Sequence, residues 1–210
     1  MEVFTIILEF FREVCSLNYL KEYLSRNKSL IIVSAFILLF SAILGVVFSS
    51  SIKTFVLEIF KQMISQIPLN DGFTAQAWFL FQNNMRANLV IILFGFLFSV
   101  FSIMSIVLNG LIIGFTYTMV SPIQFVAGIV PHGIFELSAV VLSLSGAFIA
   151  TKFEVKLIRA LFKHNFKEEL SNSSLYIKDI IFTIMVVFVL LVIAAVIEAG
   201  VTPIILNMTM

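Results

Sequence analysis

Residues 29–51, SLIIVSAFILLFSAILGVVFSSS, contain no Asp, Glu, Lys or Arg. Coiled as a helix rising about 1.5 Å per residue, such a run crosses the roughly 30 Å of hydrocarbon in a bilayer and satisfies its own backbone hydrogen bonds. Four more stretches share this character. Residues 87–108 are opened by Arg86 and closed by Asn109-Gly110, while 111–130 are interrupted at Ser121-Pro122, where proline removes a backbone donor. Residues 132–151 follow Pro131, a residue suited to the first helical position, and 179 to about 201 stop before Thr202-Pro203. The chain therefore reads as an all-α, polytopic membrane helix bundle with five transmembrane helices, at about 30–50, 87–108, 111–130, 132–151 and 179–201.

The composition agrees. Of 210 residues, 60% are hydrophobic and 12% charged, with 24 Phe, and the mean hydropathy is +1.12. A soluble domain carries about twice that charged fraction. Thirteen Lys and Arg against twelve Asp and Glu leave a net charge of +1, too little basic surface for nucleic acid. The single cysteine, Cys15, allows no intrachain disulfide. The start lacks the basic segment and small-residue cleavage site of a secretory signal, so the N-terminus is expected to be retained.

The segments between the spans are amphipathic. Val3, Ile6, Ile7, Phe10, Phe11 and Val14 recur at helical spacing among Glu2, Glu9, Arg12 and Glu13, so residues 1–28 read as an N-terminal amphipathic helix. Residues 52–86 read as an interfacial segment, with Phe55, Ile59, Phe60, Met63 and Ile67 on one stripe and Trp78 as an interface anchor. Residues 152–178 repeat the pattern through Phe153, Leu157, Leu161 and Phe162, and residues 29–210 form one membrane domain.

Five crossings divide the basic residues unevenly. Arg12, Lys21, Arg26 and Lys28 share a side with Lys152, Lys156, Arg159, Lys163, Lys167 and Lys178, ten in all, against three at Lys53, Lys61 and Arg86. The positive-inside rule then places the chain in a cell membrane with a cytoplasmic N-terminus, an extracytoplasmic C-terminus, 152–178 in the cytoplasm and 52–86 outside.

Within the spans ionisable residues are scarce. Glu136 is the one charged residue between Ala87 and Thr151, and Glu198 the one beyond Asp179. Each costs roughly 2.5–3.5 kcal/mol to insert and so needs a partner or a task. Glu136 lies one helical turn after His132, and Glu198 lies nineteen residues after Asp179, about 28 Å along a helix. With Arg86 and the preceding Asn83 and Asn84, these residues are expected to form one buried polar cluster near the outer face.

That cluster admits several readings. Arg86 paired with Glu136 or Glu198 would make a hydrogen-bonded lock between spans. Glu136, His132 and Glu198 could instead serve as a relay in a small transporter or channel, beside the span broken at Pro122. His132, Glu136 and Glu198 could also be three ligands of a divalent metal, zinc above all, in a structural or hydrolytic site. Catalysis has little support, because there is no second histidine nearby, no H-E-x-x-H and no serine spaced to a histidine. No cofactor is certain. Gly110 and Gly114 form a G-x-x-x-G that permits close helix packing within the chain or a homodimer seam, and Gly133 adds a small surface. Asn109 with Gly110 suits a tight turn or cap, and His164, among Lys163, Asn165 and Lys167, suits a solvated position.

In order along the chain, Asn83-Asn84-x-Arg86, Asn109-Gly110-x-x-x-Gly114, Pro131-His132-Gly133-x-x-Glu136-Leu137 and Glu198-Ala199-x-x-Thr202-Pro203 resemble the stage II sporulation protein M family of integral membrane proteins. The resemblance covers about residues 78–203, and Pro-His-Gly-x-x-Glu is its most specific element. It implies a polytopic, non-enzymatic scaffold or assembly factor in which Asn83, Asn84, Arg86, Asn109, His132, Glu136 and Glu198 form a shared polar core. The family's name comes from a bacterial protein that helps hold a peptidoglycan-degrading complex at the septal membrane. The partners expected are membrane lipid, a second copy of the chain, and a membrane or cell-envelope protein.

Overall fold

The computed structural model describes residues 12–68 and 71–209. The expected stripe over 3–11 lies outside the described residues. Ser16 accepts the backbone N–H of Tyr19 at 3.1 Å and so starts helix α1, Leu17–Val47. After Phe48 the chain turns into α2, Ser49–Ile64, and then into α3, Gly72–Leu93, which closes with a 3-10 turn over Phe94–Leu97. Helix α4 is Val100–Met119, and the long α5 is Pro122–Phe162. A short α6, Phe166–Ser171, leads into α7, Ser174–Val196, which continues through a π-helical turn at Ile197–Val201 into α8, Thr202–Asn207.

Among the described residues, five helical stretches are long and apolar enough to cross a membrane: Leu17–Val47, Gly72–Leu97, Val100–Met119, Pro122–Phe162 and Phe166–Asn207. Their number and all-helical character agree with the sequence, but their limits do not. The helix runs through Asn109-Gly110 instead of turning there, and the Asn109 amide is satisfied within it by donating to Ser105 O one turn back at 2.9 Å. The turn falls about ten residues earlier, at Phe98 and Ser99, both left-handed with φ of 55° and 57°. The carbonyls freed there are answered by hydroxyls, with Thr151 donating to Gly95 O at 2.6 Å and Ser102 to Ile91 O at 2.7 Å.

Pro122 does not interrupt a span but opens α5, with Ser121 and Gln124 forming a reciprocal capping box in front of it. Pro131 is therefore interior to α5, not its first residue. Residues 17–28 are continuous with the helix of the first span, and 72–86 with that of the second. Residues 152–162 extend α5.

Helix α5 is the most buried of the five and touches α1, α3, α4 and α7. Leu38, Ile91, Ile106, Val140, Leu144 and Ala147 meet where α1, α3 and α4 surround it. In lipid, apolar side chains gain little by leaving one apolar medium for another, so association relies on close packing. The α1–α4 pair is the most extensive among the described residues and has small residues at its seam. Gly45 lies against the Leu111 backbone and Gly114 against the Ala42 backbone, while a Cβ on Gly110 would stand 2.5 Å from Ser41 Cβ and 2.7 Å from Leu38 O. The G-x-x-x-G is thus spent inside the chain.

Gly110→Val is expected to lower the stability of the detergent-solubilised protein by about 1–3 kcal/mol through overpacking. Gly128→Ala, whose new methyl would meet only Leu206 Cδ1 at 3.6 Å, is expected to be neutral or slightly stabilising. Thermal unfolding of the two variants beside the parent checks the contrast.

Candidate functional site

Two prolines prepare one polar site. Pro131 in α5 has no N–H for the Ala127 carbonyl, and Pro203 in α8 has none for that of Ala199. Before Pro203 the helix widens, and the Thr202 N–H donates to Ile197 O, five residues back. The residues preceding and following these prolines meet: His132 Nδ1 and Thr202 Oγ1 are 3.2 Å apart, both residues buried. With the proton on Nδ1 the hydroxyl accepts and Nε2 is the basic nitrogen; with the proton on Nε2 the hydroxyl donates to Nδ1.

Glu136 lies one turn further along α5, and Glu198 lies in the π turn, both half-buried. One ligand-capable atom each of His132, Glu136 and Glu198 falls within 4.8 Å of the others. Two helices thus bring two carboxyl groups and an imidazole together within a membrane-spanning bundle. Among the described residues neither carboxyl group has an ion-pair partner.

The rest of the expected cluster is elsewhere. Arg86 and Asn83 are exposed on the side of α3 facing away from the bundle, and Arg86 makes no ion pair among the described residues. The reason is helical phase: the buried face of α3 carries Asn88, Ile91 and Ile92, and Arg86 sits about 170° around the helix from its centre. Asn84 is half-buried, and its carbonyl accepts the Asn88 amide at 2.8 Å. Asn88, not singled out from the sequence, accepts Ser143 Oγ at 2.8 Å and so fastens α3 to α5. In the sequence Thr202 stands out only as part of the Glu198-Ala199-x-x-Thr202-Pro203 element and not as a member of the polar cluster, although its place four residues after Glu198 is the signal that points to it.

A second polar site lies at the other end of α7, where the sequence reading has only a counted charge at Arg26 and a span boundary at Asp179. Asp179 is 3% exposed and receives Arg26 through Nε at 3.0 Å and Nη2 at 2.6 Å, Tyr19 OH at 2.8 Å and Asn27 Nδ2 at 2.9 Å. Tyr23 and Thr183 share a 2.7 Å hydrogen bond one layer deeper, and Thr183 donates to Asp179 O at 2.8 Å. The spacing of Tyr19, Tyr23, Arg26 and Asn27 on one helical face was the available clue.

Residues 34–203 match the family described as Stage II sporulation protein M. An uncharacterized protein of Methanocaldococcus jannaschii is 22% identical over 207 residues, which cover 94% of this chain and 92% of that protein. No solved structure matches the chain. The family match takes in the His132, Glu136 and Glu198 group and stops short of Arg26.

Asp179→Leu leaves the Arg26 guanidinium partly buried without its carboxylate and is expected to cost about 2–4 kcal/mol, somewhat less than a fully buried pair because Arg26 is partly exposed. The double variant Arg26→Leu/Asp179→Leu is expected to recover part of that loss. A double-mutant cycle on thermal stability checks it, with a coupling of at least about 1 kcal/mol expected.

Proposed function

Because the chain belongs to the stage II sporulation protein M family, we propose that it is a non-enzymatic membrane scaffold that works as a homodimer in a cell membrane. The observation that carries this reading is the outward face of α3. Arg86 lies twelve residues from the turn at Phe98 and eight from Trp78, about 18 Å and 12 Å along the helix. Val90 and Leu93 follow it on the same face and are 43% and 61% exposed. A guanidinium at that depth, flanked by apolar side chains, calls for polar company that the described residues of its own chain do not provide.

A second copy of α3 supplies that company. Side chains on a helix lean toward its N-terminus, so the Arg86 head reaches back to the level of Asn83. In a pair related by a two-fold axis along the membrane normal, Arg86 then meets the partner's Asn83, and the reverse contact repeats it. Interhelical hydrogen bonds of this kind contribute about 0.6–2 kcal/mol each in membranes. The ion pair between Lys178 and Glu13, at 2.7 Å, and that between Arg26 and Asp179 gather the basic segments at one end of the bundle. That end is the cytoplasmic one in this reading, with the His132, Glu136 and Glu198 group toward the opposite face.

The test is cysteine crosslinking in native membranes on a Cys15→Ser background. Asn83→Cys and Val90→Cys are expected to give a crosslinked dimer, and Phe81→Cys, whose position packs inward on Phe188, is not. Adding Arg86→Leu to Val90→Cys is expected to lower the dimer yield several-fold. Absence of a crosslink at 83 and 90, with a monomer in lipid nanodiscs, would sink the dimer and with it the scaffold built on it.

A further inference from the structure

We propose that His132, Glu136 and Glu198 bind one divalent transition-metal ion, with zinc as the ion their ligand set fits. Zinc takes imidazole nitrogen at about 2.0–2.1 Å and carboxylate oxygen at about 2.0–2.2 Å, so neighbouring ligand atoms in a tetrahedral site are about 3.4 Å apart. The three groups already converge within 4.8 Å, and rotation of side chains closes the difference. One imidazole with two carboxylates leaves a fourth position for water. An imidazole ligand also favours a first-row transition metal over magnesium or calcium, which prefer oxygen throughout.

Three independent features agree with an ion at this place. The first is charge: two carboxyl groups share a low-dielectric pocket with no cationic side chain paired to either among the described residues, and a divalent cation would neutralise both. The second is the hydroxyl of Thr202 at 3.2 Å from His132 Nδ1. In metal sites a histidine's other ring nitrogen is held in this way; a proton on Nδ1 donated to the hydroxyl would leave Nε2 as the nitrogen free to ligate. The third is the backbone. Glu198 sits in a π turn just before Pro203, a local widening that costs helix regularity and recurs at functional sites. The half-burial of both glutamates, with Thr202 only five residues from the end of α8 at Asn207, gives the ion a short route in from one surface.

The ion would tie α5 to the π turn, on the side of the bundle opposite the Asp179 clamp. It is separate from the proposed α3 interface: Arg86→Leu is expected to leave metal binding unchanged, so either idea can fail alone.

The experiment uses the full chain in detergent on a Cys15→Ser/His164→Asn background, stripped with chelator, reloaded with zinc chloride, desalted and assayed by elemental mass spectrometry. About one zinc per chain is expected. Glu136→Gln and Glu198→Gln preserve shape and are each expected to lower retained zinc at least tenfold while elution volume and circular dichroism stay unchanged. Thr202→Val, which removes only the hydroxyl behind His132, is expected to weaken zinc affinity about 10–100-fold. Less than a tenth of an equivalent of zinc on the folded parent would overturn the proposal. Equal retention by a Glu136→Gln/Glu198→Gln double variant would overturn it too, because the zinc would then sit elsewhere.

Discussion

The bidentate pair between Arg26 and Asp179 fixes the rotation of the last spanning helix against the first. A lone carboxylate at a helix position 3% exposed would be strongly destabilising. Four donors from one face of α1 and from its Tyr19 ring remove that penalty at a single orientation of α7. A helix is stiff along its axis, so the rotation set at Asp179 is carried to the π turn, where Glu198 faces Glu136. The polar site at one end therefore depends on the clamp at the other.

Between the two ends the bundle is held by shape more than by polarity. Gly45, Gly110 and Gly114 bring α1 and α4 to backbone contact, and Gly95 lies against Ala147 with an imagined Cβ only 2.5 Å from its carbonyl oxygen. Close approach multiplies dispersion contacts, which matter where lipid competes equally for apolar side chains. The same scarcity of water explains the hydroxyls that fold back on carbonyls. Ser34, Ser41, Ser105 and Thr116 each donate to the residue four positions earlier, so a polar side chain is carried through the bilayer without an external partner.

The family match gives the bundle an evolutionary setting and leaves its chemistry to the residues. Two polar features invite different partners. In the two proposals the outward Arg86 and Asn83 face a second copy of the chain, whereas the inward His132, Glu136 and Glu198 hold an ion. A scaffold stiffened by a metal on one side and paired through the other is consistent with both.

Hydropathy and charge alone determined that the chain is all helical, that it has five membrane-length helices, and that His132, Glu136 and Glu198 share one end of the bundle. These are properties of stretches about twenty residues long, and transfer from water to lipid sums over such stretches. Where the chain turns was not legible. Moving a turn by ten residues leaves the mean hydropathy of its surroundings unchanged, and the turn at Phe98-Ser99 uses two left-handed residues without a glycine to announce them. Which polar residues meet was legible only in part. His132 and Glu136 are one turn apart in sequence and had to share a face, but the distance from Arg86 to the carboxylates depended on the rotation of α3. That rotation follows from how Asn88, Ile91 and Ile92 pack on α5 and its neighbours. At 100° per residue, two positions along a helix move a charge from the core to the opposite side, so tertiary packing alone decided that Glu136 faces Glu198 and that Arg86 faces outward.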